Sequence, residues 1–167
     1  MTANKLVILR GPSGSGKSTI ARHLLGVDPY IPHQRIHQDW HEADHFFNDE
    51  ATGKYAFNYN KLDVAHRWCQ ANVERSLYFQ RPLVVVSNTS MAHKDVMIYL
   101  EIADKYKYEW EVIKSPGPWD IDKLFLRNVH GVPRDILERQ IRRYQPMACD
   151  TEWTNLEIFN NGKIRSH

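Results

Sequence analysis

Two apolar rhythms alternate along the chain. Lys5-Leu6-Val7-Ile8-Leu9-Arg10 and Leu83-Val84-Val85-Val86 are short unbroken runs, as expected of strands buried on both faces of a parallel sheet. Tyr108 to Lys114 alternates, which predicts a strand with one wetter face near the sheet edge. Between these runs the apolar positions step by three and four. Thr19 to Leu25 is one such stretch. From Asn60 a longer helix carries the stripe Leu62, Ala65, Trp68, Cys69, Val73, Ser76 and Leu77, and Pro82 closes it. Lys94 to Lys107 turns Val96, Tyr99, Leu100, Ala103 and Tyr106 inward. Two short helices follow, Asp120 to Asn128 and Pro133 to Tyr144, with Pro133 suited to the first helical position.

The remaining segments are less regular. Gly26 to Pro32 is a turn-rich connection. Pro32 to Phe47 predicts a strand and then a helix start near Asp44, and Asn48 to Asn58 a loop. In the tail, 150–167, the turn residues Asn160-Asn161-Gly162-Lys163 suggest a link between two short strands. Strand–helix alternation of this kind predicts an α/β fold. It has a parallel sheet of about four to five strands, helices on both faces and a helical, arginine-bearing lid near residues 120–145.

Between the first run and the first helix stands Gly11-Pro12-Ser13-Gly14-Ser15-Gly16-Lys17-Ser18-Thr19, a complete G-x-x-x-x-G-K-[ST] motif in its strand–turn–helix setting. Glycines let backbone N–H groups converge on phosphate, and the helix end adds partial positive charge. Lys17 reaches the β- and γ-phosphates of ATP, the Ser18 hydroxyl is the Mg2+ ligand, and Thr19 supports the turn. ATP and Mg2+ are therefore the expected cofactors.

At 167 residues the chain is expected to form one domain, 1–167. A net charge of +2 makes it no general magnet for nucleic acid, so any such binding must come from a local patch. Cys69 and Cys149 form no framework and fit free thiols in a reducing cytoplasm. The N-terminus leads directly into the first strand, leaving no room for a signal peptide. No apolar run approaches the ~18 residues of a membrane helix. A cytoplasmic protein without membrane contact is expected.

The strand Val84-Val85-Val86 ends in Ser87-Asn88 and not in the acid that hydrolysing ATPases use to hold Mg2+. A small phosphotransferase is the better class. As base for an acceptor hydroxyl, Asp44 sits at the boundary of the second strand and the next helix; the competing role is a helix N-cap. Asp39 takes that place if the strand ends early. Arg127, then Arg134, are the expected lid cations; Arg139, Arg142 and Arg143 fit a solvated helix face at least as well, or alternatively the phosphate backbone of a nucleic acid. Asn88, Thr89 and Ser90 offer neutral hydrogen bonds to an acceptor. Trp40, His41 and Phe47 offer flat faces for a base, against the alternative of core packing. His33, His37, His41 and His45 recur every fourth residue, but no cysteine or carboxylate set completes a metal site, and surface or substrate-facing positions fit them better.

Taken in order, Gly11 to Thr19, Glu42-Ala43-Asp44-His45-Phe46-Phe47, Tyr55-Ala56-Phe57 with Leu62 and Ala65-His66, Val84 to Ser90, and Leu126-Arg127-Asn128-Val129-His130-Gly131-Val132-Pro133 resemble the P-loop kinases grouped around the bacteriophage polynucleotide 5′-kinase. The resemblance runs from about Lys5 to about Tyr144. It implies the P-loop kinase fold, ATP·Mg2+ on Lys17 and Ser18, hydroxyl activation by Asp44, and phosphate binding by Arg127 and Arg134. This chain departs from the family at Ser87, where relatives often carry Asp, and at His45, where they often carry a second Asp. The implied reaction is γ-phosphate transfer to a nucleic-acid hydroxyl, most simply a 5′-OH of DNA or RNA. A hydroxymethyl group on a modified DNA base or a free nucleoside are alternative acceptors, the former in the phage setting where DNA modification occurs. An ATP-dependent binding module without transfer is the reading from another class.

Overall fold

The computed structural model describes residues 3–27, 38–49, 51–52, 54–128 and 131–160. Five strands form one parallel sheet in the order β2-β3-β1-β4-β5. They are β1 (Lys5–Arg10), β2 (Trp40–His41), β3 (Leu83–Val86), β4 (Glu109–Lys114) and β5 (Asp150–Glu152). The helices are α1 (Lys17–Leu25), α2 (Leu62–Tyr78), α3 (His93–Lys105), α4 (Ile121–Arg127) and α5 (Arg134–Arg143). Short 3-10 turns stand at Ala43–Phe47, Tyr59–Lys61 and Leu156–Phe159.

Two-residue periodicity divides the strands between two cores. Leu6, Ile8, Val84, Val86 and Val112 face α2 and α3, meeting Ala65, Cys69, Val73, Leu77, Val96, Tyr99 and Ala103. Val7, Leu9, Val85 and Ile113 face α1, meeting Ile20, Ala21 and Trp40. β1 is central and buried on both faces, so its apolar run is unbroken; β4 is exposed at its start and buried later. Cys69 and Cys149 are free.

Three expectations need correction. The strand expected in the first part of 32–47 is seen only as the two residues of β2, with Trp40 opposite Val85 and His41 opposite Val86, so the chain reaches the acidic turn almost at once; 32–37 lie outside the described residues. Pro133 caps α5 from just outside it, at φ −61 and ψ 150, because extended ψ rather than the fixed φ sets its place. In the tail, the residues just before the expected turn, Leu156–Phe159, form a 3-10 helix and not a strand, while Asp150–Glu152 pairs parallel with β4; the turn residues 161–163 lie outside the described residues.

A buried guanidinium joins these parts. Arg10 is 0% exposed. Its Nε donates to the Ser90 carbonyl, one terminal nitrogen to both Asp150 oxygens (2.9 and 3.0 Å), and the other to the carbonyls of Met91 and Gln145. Tyr144 stacks on it, 4.7 Å from ring centroid to guanidinium carbon, and donates its hydroxyl to Asp150. The end of β1, the β3–α3 loop, the exit of α5 and β5 thus share one charge.

Burial alone would raise the Asp150 pKa, but hydrogen bonds from Tyr144, the Met147 N–H and Arg10 outweigh it and hold the carboxyl below its usual 3.8. A pKa depressed in the folded state contributes stability above the unfolded value, and that stability is lost as pH falls below about 3.8. Asp150→Ala is expected to cost about 3–5 kcal/mol in urea denaturation at neutral pH, because it leaves a buried cation unpaired. The gap between wild type and variant should narrow on acidification.

Candidate active site

The phosphate loop owes its shape to two left-handed glycines. Gly14 has φ 82, and a Cβ there would stand 2.6 Å from the Leu124 carbonyl; Gly16 has φ 99, and a Cβ there would stand 2.5 Å from the Phe159 ring. Only glycine meets both demands. Behind the loop, Ser115 Oγ donates to Ser15 Oγ at 2.8 Å, and the Gly11 N–H donates to the Thr89 carbonyl at 3.0 Å. Gly11 and Ser15 therefore brace the loop, while Ser13, Gly14, Gly16, Lys17, Ser18 and Thr19 line the cleft in front of it. That cleft has a volume of about 1590 Å³.

Lys17, the first residue of α1, is buried and donates to the Pro12 carbonyl at 3.0 Å. Burial pushes its pKa down to about 8, against the opposing pull of the Glu42 and Asp44 carboxylates. Both acids line the cleft. Asp44 lies in the first turn of Ala43–Phe47 and accepts from the Tyr55 hydroxyl at 3.4 Å.

Glu42 is absent from the sequence-based site. It is 8% exposed and accepts from Ser87 Oγ at 2.6 Å, while Ser87 Oγ accepts from Trp40 Nε1 at 2.7 Å. His45 Nε2 stands 3.5 Å from its other oxygen. A signal did exist. Glu42 stands two residues before Asp44 in the same acidic segment, and in the structure it is extended, at φ −148 and ψ 152, directly after β2. Asn88 works beside Ser87. Its Oδ1 accepts from the Ala43 N–H at 2.7 Å, and its Nδ2 donates to the Tyr99 hydroxyl at 3.3 Å. The neutral end of β3 thus holds the acid-bearing turn, one residue gripping the Glu42 side chain and the next the backbone before Asp44. Asn88 and Thr89 also line the cleft.

Four expected substrate contacts do not reach the cleft. Asp39 precedes β2 and is ion-paired to Arg81 at 2.8 and 2.9 Å, at the strand's entrance rather than its exit. Trp40 is buried in the α1 core. His41 Nε2 meets Ser76 Oγ at 2.8 Å. Phe47 packs edge-on against Phe46, Tyr55 and Phe57. The core reading wins for Trp40 and Phe47 because burying an aromatic face gains more than presenting it to water, while half-buried His41 is held by its hydrogen bond. The aromatics at the cleft are instead Tyr55, Phe57, Tyr59, Tyr99 and Phe159, of which Phe57 is 52% and Tyr59 77% exposed. Of the spaced histidines, His33 and His37 lie outside the described residues.

On the lid, Arg127 lines the cleft, its Nε donating to the Lys123 carbonyl at 3.3 Å. Arg134 does not. It pairs with Asp122 and lies over the Phe125 ring at 5.5 Å. Arg139 and Arg143, four residues apart, line the cleft in its place, with Ile136 and Gln140 on the same helix. Among the described residues no cluster of three or more His, Cys, Asp or Glu could hold a metal by itself. Mg2+ held mainly by nucleotide phosphates and water needs only one or two protein oxygens, and the Ser18 hydroxyl with Glu42 and Asp44 nearby fits that requirement.

Phosphate oxygens against Lys17 raise its pKa, so binding of a triphosphate near pH 8 is expected to take up protons. Affinity should then fall as pH rises above about 8. Calorimetry in buffers of different ionisation heat measures the uptake, which Lys17→Met should abolish.

NEDD4-binding protein 2 of Homo sapiens is 29% identical over 143 residues, covering 84% of this chain and 8% of that protein. Shikimate kinase of Shewanella frigidimarina is 29% identical over 141 residues, 83% of this chain and 78% of that enzyme. Among solved structures, a chain of the Pnkp1/Rnl/Hen1 RNA repair complex superposes with TM-score 0.61 at 18% identity, over 93% of this chain and 51% of that one. A gluconokinase from Sinorhizobium meliloti gives TM-score 0.56 at 17% identity over the whole of both chains. The fold is that of P-loop kinases. The names of these proteins point to unlike acceptors, so the narrower likeness to phage polynucleotide kinases is not singled out. No helix among the described residues is long and apolar enough to cross a membrane. A family model described as an AAA domain matches residues 6–147, and the chain belongs to that family.

Proposed function

We infer that the protein is an ATP-dependent phosphotransferase that phosphorylates a hydroxyl at the end of a nucleic acid, most simply a 5′-OH. The observation that carries this reading is the composition of the cleft beyond the phosphate loop. Exposed Phe57 and Tyr59 line the cleft together with His66 and Arg67 of α2 and Lys94 of α3. Flat faces stack bases and cations take phosphodiesters, whereas a small sugar acid has little use for stacking surfaces.

In this reading Lys17 and the loop N–H groups bind the phosphates of ATP. Asp44 accepts the proton of the attacking hydroxyl. Arg127, Arg139 and Arg143 offset charge on the transferred group and exclude water. The Ser18 hydroxyl, with Glu42 close by, would hold Mg2+, which when bound neutralises charge on the phosphates. Ser87, where an acid often stands, keeps Glu42 in place by its hydrogen bond.

Labelled γ-phosphate offered to 5′-OH oligonucleotides, hydroxymethylpyrimidine duplexes, nucleosides and small hydroxy acids tests the acceptor. Transfer to the oligonucleotide is expected to dominate. Exclusive labelling of a small hydroxy acid, or no transfer to any acceptor, overturns the reading. Asp44→Asn should lower kcat by about 10²–10⁴ while the ATP-induced rise in Tm persists. Tyr59→Ala should raise KM for the oligonucleotide by a stacking loss of about 1–3 kcal/mol and leave KM for ATP unchanged.

A further inference from the structure

One side chain fastens the lid to the phosphate loop. The Ser13 N–H donates to Gln140 Oε1 at 2.9 Å, and Gln140 Nε2 donates to Ser13 Oγ at 3.3 Å. A carboxamide suits this pair because it offers an acceptor to the N–H and a donor to the hydroxyl at once. Both residues line the cleft.

Gln140 also occupies a telling place on α5. Its neighbour Arg139 and the residue one turn on, Arg143, line the same cleft. Beyond the helix, Gln145 is tied down, its N–H donating to the Met91 carbonyl at 2.8 Å and its carbonyl accepting from Arg10. α5 is therefore held at its exit by the Arg10 cluster and along its length by Gln140. With both anchors set, the rotation of the helix about its axis is fixed, and with it the direction of Arg139 and Arg143. α4 adds a second contact with the loop, its Leu124 carbonyl filling the space a side chain at Gly14 would need.

We propose that Gln140 is a positioning residue that couples lid to loop and, through the rotation of α5, sets Arg139 and Arg143 over the terminal phosphate. The proposal rests on the phosphotransferase reading for its chemical consequence. A lid held down sends the γ-phosphoryl group to the acceptor hydroxyl, with the O–P bond to ADP broken and the hydroxyl proton passed to Asp44. A lid released admits water as the competing acceptor and yields ADP and inorganic phosphate.

Three variants of the full chain, Gln140→Leu, Gln140→Glu and Ser13→Ala, test it by two independent readouts. The first is amide hydrogen exchange across 134–143, without nucleotide and with a non-hydrolysable ATP analogue. Gln140→Leu is expected to speed exchange there about tenfold, while exchange in β1 and β3 stays at the wild-type rate. Ser13→Ala keeps the N–H and should show a smaller effect. Gln140→Glu keeps the acceptor, so α5 should stay protected, yet its negative charge should weaken analogue binding, a split that loss of packing alone would not produce. The second readout is the ratio of ATP hydrolysed to phosphate transferred, expected to rise several-fold in Gln140→Leu. Wild-type exchange in α5 of Gln140→Leu, or faster exchange throughout the chain in both Gln140→Leu and Ser13→Ala, overturns the coupling. If the wild type phosphorylates no acceptor while Gln140→Leu still releases α5 selectively, the coupling stands and the phosphotransferase reading falls.

Discussion

A guanidinium taken fully out of water must have every N–H satisfied, and Arg10 meets that demand with partners drawn from three other parts of the chain. The residue directly after it opens the phosphate loop. The position of that loop, of the β3–α3 connection and of the lid's exit is therefore set by the geometry of one planar group. Hydrophobic packing on either face of β1 holds the sheet together, but it is non-directional. The fork of the arginine supplies the direction, and the mouth of the cleft inherits it.

A second constraint acts on the acids. Two carboxylates beside a buried lysine repel each other, so their separation has to be held against that repulsion. Ser87 and Asn88 do this without adding charge, one through the Glu42 side chain and the other through the Ala43 backbone. The end of β3 thereby becomes a scaffold for the end of β2. Lys17 stands against both acids, and its depressed pKa reflects burial winning over their attraction.

Much of this could be read from the residues. The runs at 5–10 and 83–86 match their strands, and the three-and-four stripe from Leu62 to Leu77 matches α2, which ends at Tyr78, ahead of Pro82, because burial on both sheet faces and on one helix face leaves a clear period. The phosphate loop was legible because its glycines answer a backbone requirement that few other sequences satisfy. β2 was not, since two residues carry no period, and the error passed to Asp39, Trp40 and His41, whose places depend on where that strand begins and ends. The choice among lid arginines was hidden for another reason. Helical spacing fixes which residues share a face, but how α5 is placed against the rest of the chain decides which face looks inward, and Arg134 went to Asp122 while Arg139 and Arg143 line the cleft.

The ring of Phe159 rests where any side chain at Gly16 would have to go. The glycine is thus demanded twice, by a left-handed backbone and by a neighbour some 140 positions downstream in the chain. Replacing Phe159 with a small residue would lift only one of these demands, and replacing Gly16 would violate both. Loop and tail can therefore vary only together, and transplanting the nine-residue motif into another scaffold without its aromatic lodger would carry over the letters but not the shape.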